Sequence, residues 1–224
     1  DLKPNRLEAA KDVAAEFING RPNYNIGITL FAGETFTQCP LTVDHAVLLD
    51  MIHNIKCGLI EDGTAVGMGI ANAVTRLKDS KAKSKVIILL TDGTNNKGDI
   101  SPLTAAEIAK SFGIRVYTIG VGTNGMAPYP YPVGNTVQYV NMPVEIDEKT
   151  LTQIAGTTDG NYFRATSNSK LKEVYEEIDK LEKTKLNVKE YSKRDEEYQW
   201  FALAAFLCVL LEVLLRNSIL KKIP

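Results

Sequence analysis

Cysteine, histidine and tryptophan are scarce in this 224-residue chain, and the first two shortages close off whole classes of chemistry. Three cysteines (Cys39, Cys57, Cys208) and two histidines (His45, His53) form neither a CxxC pair nor an HExxH helix, which argues against a zinc centre and a disulfide framework. Whether Cys39 and Cys57 meet is left open by the sequence. A charge excess is lacking too: 26 basic residues face 27 acidic ones, so no broad field recruits nucleic acid. No Walker A and no GxSxG elbow occurs, which removes P-loop nucleotide chemistry and the α/β-hydrolase mechanism. GVGTNG (120–125) does spell GxGxxG after a strand. The prolines of MAPYPYP follow where a phosphate-binding helix would have to open, so the fingerprint fails in context.

What the chain does have is enough apolar sequence, 44%, to fill a core, and one long apolar run near its end. WFALAAFLCVLLEVLL (200–215), extended by Tyr198 and Gln199, approaches the roughly 17 to 25 residues that cross a bilayer. Tyr198 and Trp200 stand where interfacial aromatics anchor a helix, and Arg216, Lys221 and Lys222 follow the other end. The run predicts a transmembrane helix over 198–215, with a buried core helix containing Glu212 as the alternative. A charged linker (184–197) precedes it and a basic tail (216–224) follows. RNSILKKIP holds three basic and no acidic residues, which predicts a cytoplasmic tail and places the preceding domain on the periplasmic side.

Upstream, elements of two periods alternate. Asn5 with Glu8 three residues on opens an amphipathic helix that Gly20 ends. NIGITLFAG (25–33) and FTQCPLT (36–42) predict a strand pair with Pro40 at an edge position, and Asp44 caps HAVLLDMIHNI. TAVGMGIANAVTRLK predicts a helix packed closely on a sheet, VIILL (86–90) a buried strand, and Ser101-Pro102 the start of another helix stopped by Gly113. IRVYTIGVG is a further strand. Residues 124–146, rich in proline and tyrosine, interrupt as a loop or hairpin insertion. Asp147 then caps EKTLTQIAG, NYFRA forms a short strand, and a charged helix runs from about 168 to 183. Strands separated by helices predict an α/β fold with a doubly wound, mostly parallel sheet.

In such a sheet ligands bind beyond the carboxyl ends of the strands, and VIILLTDGTNN delivers Asp92 there. Gly93 is read as the residue that lets the backbone turn away sharply, although Asp-Gly is also an ordinary turn pair. A second Asp-Gly-Thr corner, EDGTAVG (61–67), places Thr64 at the start of the glycine-rich helix. There its hydroxyl either caps the helix or faces a ligand. A carboxylate and a hydroxyl are hard oxygen donors that suit Mg²⁺ better than zinc or copper.

VIILLTDGTNN, EDGTAVGMGI and RVYTIGVG, in this order, resemble a von Willebrand factor type A domain of Rossmann-like fold, over about residues 1 to 183. The resemblance implies a metal-ion-dependent adhesion site built from a DxSxS loop, a threonine and an aspartate. Thr64 and Asp92 match the last two. No DxSxS occurs, and DLKPNRLEAAK looks like the segment that follows it. The resemblance therefore implies an amino-truncated piece lacking the first strand, the DxSxS loop and the leading membrane helices. It also implies a Mg²⁺ site, with Mn²⁺ or Ca²⁺ as alternatives, that Thr64 and Asp92 do not complete alone. The tail RDEEYQWFALAAFLCVLLEVLLRNSILKKIP is similar to that of membrane-anchored proteins of the bacterial aerotolerance (Bat) group. That likeness implies a non-catalytic interaction module in the bacterial inner membrane, contacting lipid, whose partners are other Bat proteins and a MoxR-type AAA+ ATPase. The competing expectations are a scaffold without a working metal site and a phosphoryl-transfer enzyme using Asp92. The exposed aromatic insertion is expected beside the metal edge, where it would influence partner choice.

Overall fold

The computed structural model describes residues 1–123, 125–133, 136–192 and 198–218. Contacts divide the chain into two units, residues 1–182 and 183–224.

In the first unit the helix starts are set by their caps. Helix α1 (Arg6–Asn19) opens on Asn5, whose side chain accepts the Glu8 N–H at 2.8 Å. Helix α2 (His45–His53) opens on Asp44, which accepts from Val47. Ser101 accepts from Thr104 to start α4 (Pro102–Ser111), and Asp147 accepts from Thr150 to start α5 (Glu148–Thr157). Each such cap satisfies one of the amide donors that a helix start leaves unpaired, and contributes about 1 kcal/mol. Helix α3 (Val66–Leu77) has no side-chain cap.

Strands β1 (Ile26–Phe31) and β2 (Thr35–Thr42) pair antiparallel across a short turn. Strands β3 (Lys85–Thr91), β4 (Ile114–Val121) and β7 (Tyr162–Ala165) form a parallel sheet in the order β3-β4-β7. The insertion folds as an antiparallel hairpin, β5 (Gly125–Val133) with β6 (Thr136–Val144), so the hairpin alternative holds. The parallel sheet of the α/β expectation is present, with three strands, and the β1–β2 pair is hydrogen-bonded separately from it.

Alternation along β3 and β4 fills two cores. Ile87, Leu89, Ile114 and Val116 face α3, α4 and α5 in one cluster. Tyr117, Ile119 and Val121 face α1 and helix α6 (Asn168–Ser192) in the other, joined by Val86, Ile88 and Leu90. Helices thus cover both faces, as a parallel sheet requires. Helix α3 lies close on its neighbours because Gly67 and Gly69 carry no side chain. A Cβ on Gly67 would stand 2.0 Å from the Ile100 carbonyl oxygen, and one on Gly69 would meet the Phe31 ring at 2.9 Å.

At the amino ends of β3 and β4 a buried polar cluster holds α6 to the sheet. The Glu182 carboxylate accepts from Arg115 Nε (2.8 Å), Tyr117 Oη (2.6 Å) and Ser84 Oγ (2.7 Å), and Arg115 Nη2 also meets it. Burial pushes the Glu182 carboxyl up, but these donors outweigh it and hold the group below its ordinary value.

Two sequence expectations change. The segment read as the charged linker is helical as far as Ser192, because α6 runs 25 residues. The second unit contains α7 (Tyr198–Ser218), yet among the described residues no helix is long and apolar enough to cross a membrane, so the expected transmembrane span is not found. The apolar stretch inside α7 runs only from 200 to 215 and is broken by Glu212, which leaves it short of the roughly 20 residues a span requires. Leu203, Phe206, Leu207, Val209, Leu211 and Val213 are exposed on it. The tail beyond 218 lies outside the described residues. Cys39 is buried and Cys57 exposed, both as free thiols, so the two do not pair.

Removing the Glu182 carboxylate leaves the Arg115 charge without its partner at 15% side-chain exposure. Glu182→Ala is therefore expected to lower stability by on the order of 3 kcal/mol in urea unfolding. The pH dependence has a defined sign. Below an unfolded-state value near 4.5 the unfolded chain takes up a proton that the folded carboxylate refuses, so stability is lost as pH falls through the lowered folded value. Urea midpoints between pH 5 and 3 should show this loss in the parent and a smaller one in the variant.

Candidate functional site

Parallel pairing builds the candidate edge. In the β3–β4 register Thr91 stands opposite Gly120, so the chain segments that leave β3 at Asp92 and β4 at Gly122 emerge from the same end of the sheet. Asp92 follows the buried Thr91 immediately, and 57% of its side chain is exposed. The strand therefore delivers a carboxylate to water at its tip.

Thr64 arrives from the other Asp-Gly-Thr corner. Its hydroxyl lies 3.2 Å from the position a Cβ on Gly93 would occupy, which brings it against the residue after Asp92. This gives Gly93 a role different from the one read in the sequence. It does not adopt a left-handed backbone, and its value is the open space beside Thr64. Nor does Thr64 cap α3: the N-cap position is Ala65, with no side-chain hydrogen bond. The backbone of Thr64 is clamped instead by the loop after Asp92. Asn96 Oδ1 accepts the Thr64 N–H at 2.8 Å, and the Thr64 carbonyl accepts from the N–H groups of Asn96 (3.0 Å) and Lys97 (3.3 Å). Asn95 Oδ1 accepts from Gly67 at 3.4 Å, and Ala65 N–H donates to the Ala32 carbonyl at 2.7 Å.

A third group completes the corner. Arg6, in the first turn of α1, donates from Nη1 to Asp92 Oδ2 at 3.2 Å while its Nε and Nη2 grip Asp1 at 3.2 and 2.5 Å. Asp1 also accepts the Thr123 N–H at 3.0 Å. Of the two residues read as metal ligands, the fold sets Thr64 against Gly93, the residue after Asp92; Arg6, Asn95 and Asn96, which also meet this corner, were not among the residues read as site candidates. The asparagines were visible as TNN directly after Asp92. Arg6 gave no signal, because an arginine opening an amphipathic helix reads as solvent-facing.

The Asp92 carboxylate and the Thr64 hydroxyl suit a hard divalent cation in kind but not in number. Among the described residues no group of three or more His, Cys, Asp or Glu side chains could hold a metal ion.

The sequence profile of the von Willebrand factor type A domain matches residues 3–177. A protein of Borreliella burgdorferi is 26% identical over 98% of this chain, and a UPF0353 protein of Mycolicibacterium paratuberculosis is 31% identical over 78% of it. The chain spans 64% and 53% of the lengths of these two relatives. Among solved structures, BatB from Bacteroides thetaiotaomicron is similar with a TM-score of 0.71 and 33% identity, over 82% of this chain and 91% of that one. An aerotolerance-related membrane protein from Bacteroides fragilis is similar with a TM-score of 0.69 and 29% identity, over 80% and 88%. Proximal thread matrix protein 1 of the mussel byssus, solved with a zinc-occupied MIDAS motif, is similar at 0.60 and 25% identity, over 80% and 41%.

The clamp between α3 and the 95–100 loop can be loosened without touching Thr64 or Asp92. Gly67→Ala would drive a methyl group into the Ile100 carbonyl, and is expected to cost about 1 to 3 kcal/mol in urea unfolding. A variant as stable as the parent would show that the loop does not lie on the helix as described.

Proposed function

The chain belongs to the von Willebrand factor type A family, and on that premise we propose that it is a non-catalytic protein–protein interaction module of the bacterial aerotolerance type. The observation that carries this reading is the corner at the strand ends: an exposed Asp92 carboxylate, with the Thr64 hydroxyl set against Gly93, the next residue, by hydrogen bonds to the Thr64 backbone. Thr64 and Asp92 would hold Mg²⁺ there, with Mn²⁺ or Ca²⁺ as substitutes and other positions filled by water or further oxygen donors. The ion supplies an open coordination position that a partner's carboxylate fills reversibly. What this chain's own residues contribute is placement: Asn96 and Lys97 fix the Thr64 backbone, and Gly93 leaves the hydroxyl room.

The partners proposed are other Bat proteins and a MoxR-type AAA+ ATPase. The tail RDEEYQWFALAAFLCVLLEVLLRNSILKKIP supports placement in the BatA branch of the group, alongside the structural likeness to a BatB. Membrane association in the bacterial inner membrane is proposed through α7, whose exposed apolar side chains would be costly in water, with the interaction domain on the periplasmic side. The name of the Bacteroides fragilis relative, an aerotolerance-related membrane protein, agrees with that placement. A second reading, a membrane scaffold without a working metal site, is favoured by the Arg6 guanidinium already engaging Asp92.

Partner capture from solubilised membranes distinguishes these readings. Asp92→Ala and Thr64→Val are each expected to reduce capture at least about tenfold, and EDTA to do the same to the parent, a change of roughly 1.4 kcal/mol. Capture indifferent to EDTA and to both substitutions would leave only the scaffold. Turnover of a phosphate ester that depends on Asp92 would make the protein an enzyme.

The β5–β6 hairpin follows β4 from the end of the sheet that carries Asp92, which supports a part in partner choice. Replacing residues 126 to 139 with a short Gly-Ser linker is expected to weaken capture while leaving the thermal midpoint within a few degrees. Unchanged capture would remove the hairpin from the interface.

A further inference from the structure

We propose that the outer edge of β6 pairs antiparallel with the same edge of a second copy of this chain, joining two hairpins into one four-stranded sheet. The inference stands apart from the Asp92 corner and from any metal there.

The prolines of the hairpin decide which edge is open. Antiparallel strands alternate between pairs that exchange two N–H···O bonds and pairs whose N–H and C=O groups point away from the partner strand. A proline has no N–H to exchange, so it belongs to the second kind. The register puts Pro128 with Asn141, Pro130 with Tyr139, Pro132 with Val137 and Pro143 with Met126, so every proline of the hairpin falls in one alternate set. The hydrogen-bonded set is then the other one. It includes Val133 with Thr136, the pair that closes a two-residue connection, as such a connection requires. The backbone groups of 126, 128, 130 and 132 therefore face outward from β5, and those of 137, 139, 141 and 143 outward from β6.

The two edges differ in chemistry. On β5 three successive outward positions are proline, and Met126 alone keeps a donor. That edge offers carbonyls over most of its length and cannot complete a ladder. On β6, Val137, Tyr139 and Asn141 each present an N–H and a C=O. Among the described residues β5 and β6 pair only with each other. The open set is symmetric about Tyr139, and this selects a second copy as the occupant. In an antiparallel pair centred there, Tyr139 meets the second copy's Tyr139, and Val137 meets Asn141 in both directions. Each of these pairs exchanges two hydrogen bonds, so every open donor finds an acceptor, and Pro143 falls beyond the paired stretch. Assembly closes at two copies because the β5 edges left outermost are blocked.

The test is sedimentation equilibrium of the full chain in density-matched detergent, comparing the parent with Tyr139→Ala and Tyr139→Pro. Alanine keeps the backbone donor that proline removes, and neither change costs the hairpin a bond of its own. The parent and Tyr139→Ala are expected to be dimeric. Tyr139→Pro, which removes both central hydrogen bonds, is expected to dimerise at least about tenfold more weakly. A second measurement does not hang on the folding of the proline variant. With Cys57→Ser and Cys208→Ser removing the exposed thiols, Tyr139→Cys is expected to give a disulfide-linked dimer on mild oxidation, because Cα atoms in such a pair stand about 5.5 Å apart. Pro130→Cys, on the blocked edge, is expected to give none. A monomeric parent, a dimer as strong in Tyr139→Pro as in the parent, or equal cross-linking at 130 and 139 would each overturn the pairing. Equal loss in Tyr139→Ala and Tyr139→Pro would overturn it too, by assigning the contact to a side chain.

Discussion

Strand β4 has almost no surface left for water: of its eight residues only Arg115 is less than buried. A strand in that position must pair on both edges and be covered on both faces, since an unpaired buried backbone group costs about 1 to 3 kcal/mol. The pairing is supplied by β3 and β7 in parallel, and parallel neighbours need helical crossovers, so α4 and α5 follow from the same constraint. Odd positions from Tyr117 to Val121 face α1 and α6, and Ile114 and Val116 face the opposite helices. The register that results sets Thr91 beside Gly120. The location of the candidate site is thus a consequence of burying one strand.

Two ion pairs show how differently the fold uses charge at its two ends. At the amino ends of β3 and β4, Glu182 is enclosed by Arg115, Tyr117 and Ser84, and its side chain is 11% exposed. Breaking that cluster strands a charge away from water, which makes it a structural fixture. At the carboxyl ends, Arg6 meets an Asp92 that is more than half exposed. The fold is held where its charges are buried, and at the other end it leaves the Asp92 carboxylate more than half open to water.

The site itself is held by backbone hydrogen bonds. Thr64 is placed through its N–H and carbonyl, both tied to the loop after Asp92, so its hydroxyl is not consumed in holding it. The same economy appears at Gly93 and Gly122, where an absent side chain leaves room for Thr64 and Arg6.

The sequence by itself determined the elements and their caps. Asn5, Asp44, Ser101 and Asp147 start helices because a side-chain oxygen three residues before a free amide is a local event. It also put Asp92 at a strand tip, since a carboxylate directly after an apolar strand has one place to go in a parallel sheet. The extent of α6 and the shortfall of α7 against a membrane span were not legible to the residue. A charged segment reads equally as linker or helix, and Glu212 divides an apolar run whose ends are polar. Only the tertiary structure decided what surrounds Asp92. Thr64 looked like a cap because sequence cannot reveal that the helix begins at Val66, two residues later. Arg6 looked like a surface residue because its partner is 86 positions away. Local chemistry is written in neighbouring residues, whereas a salt bridge between the first turn of α1 and the tip of β3 exists only after the strands are paired and α1 lies across them.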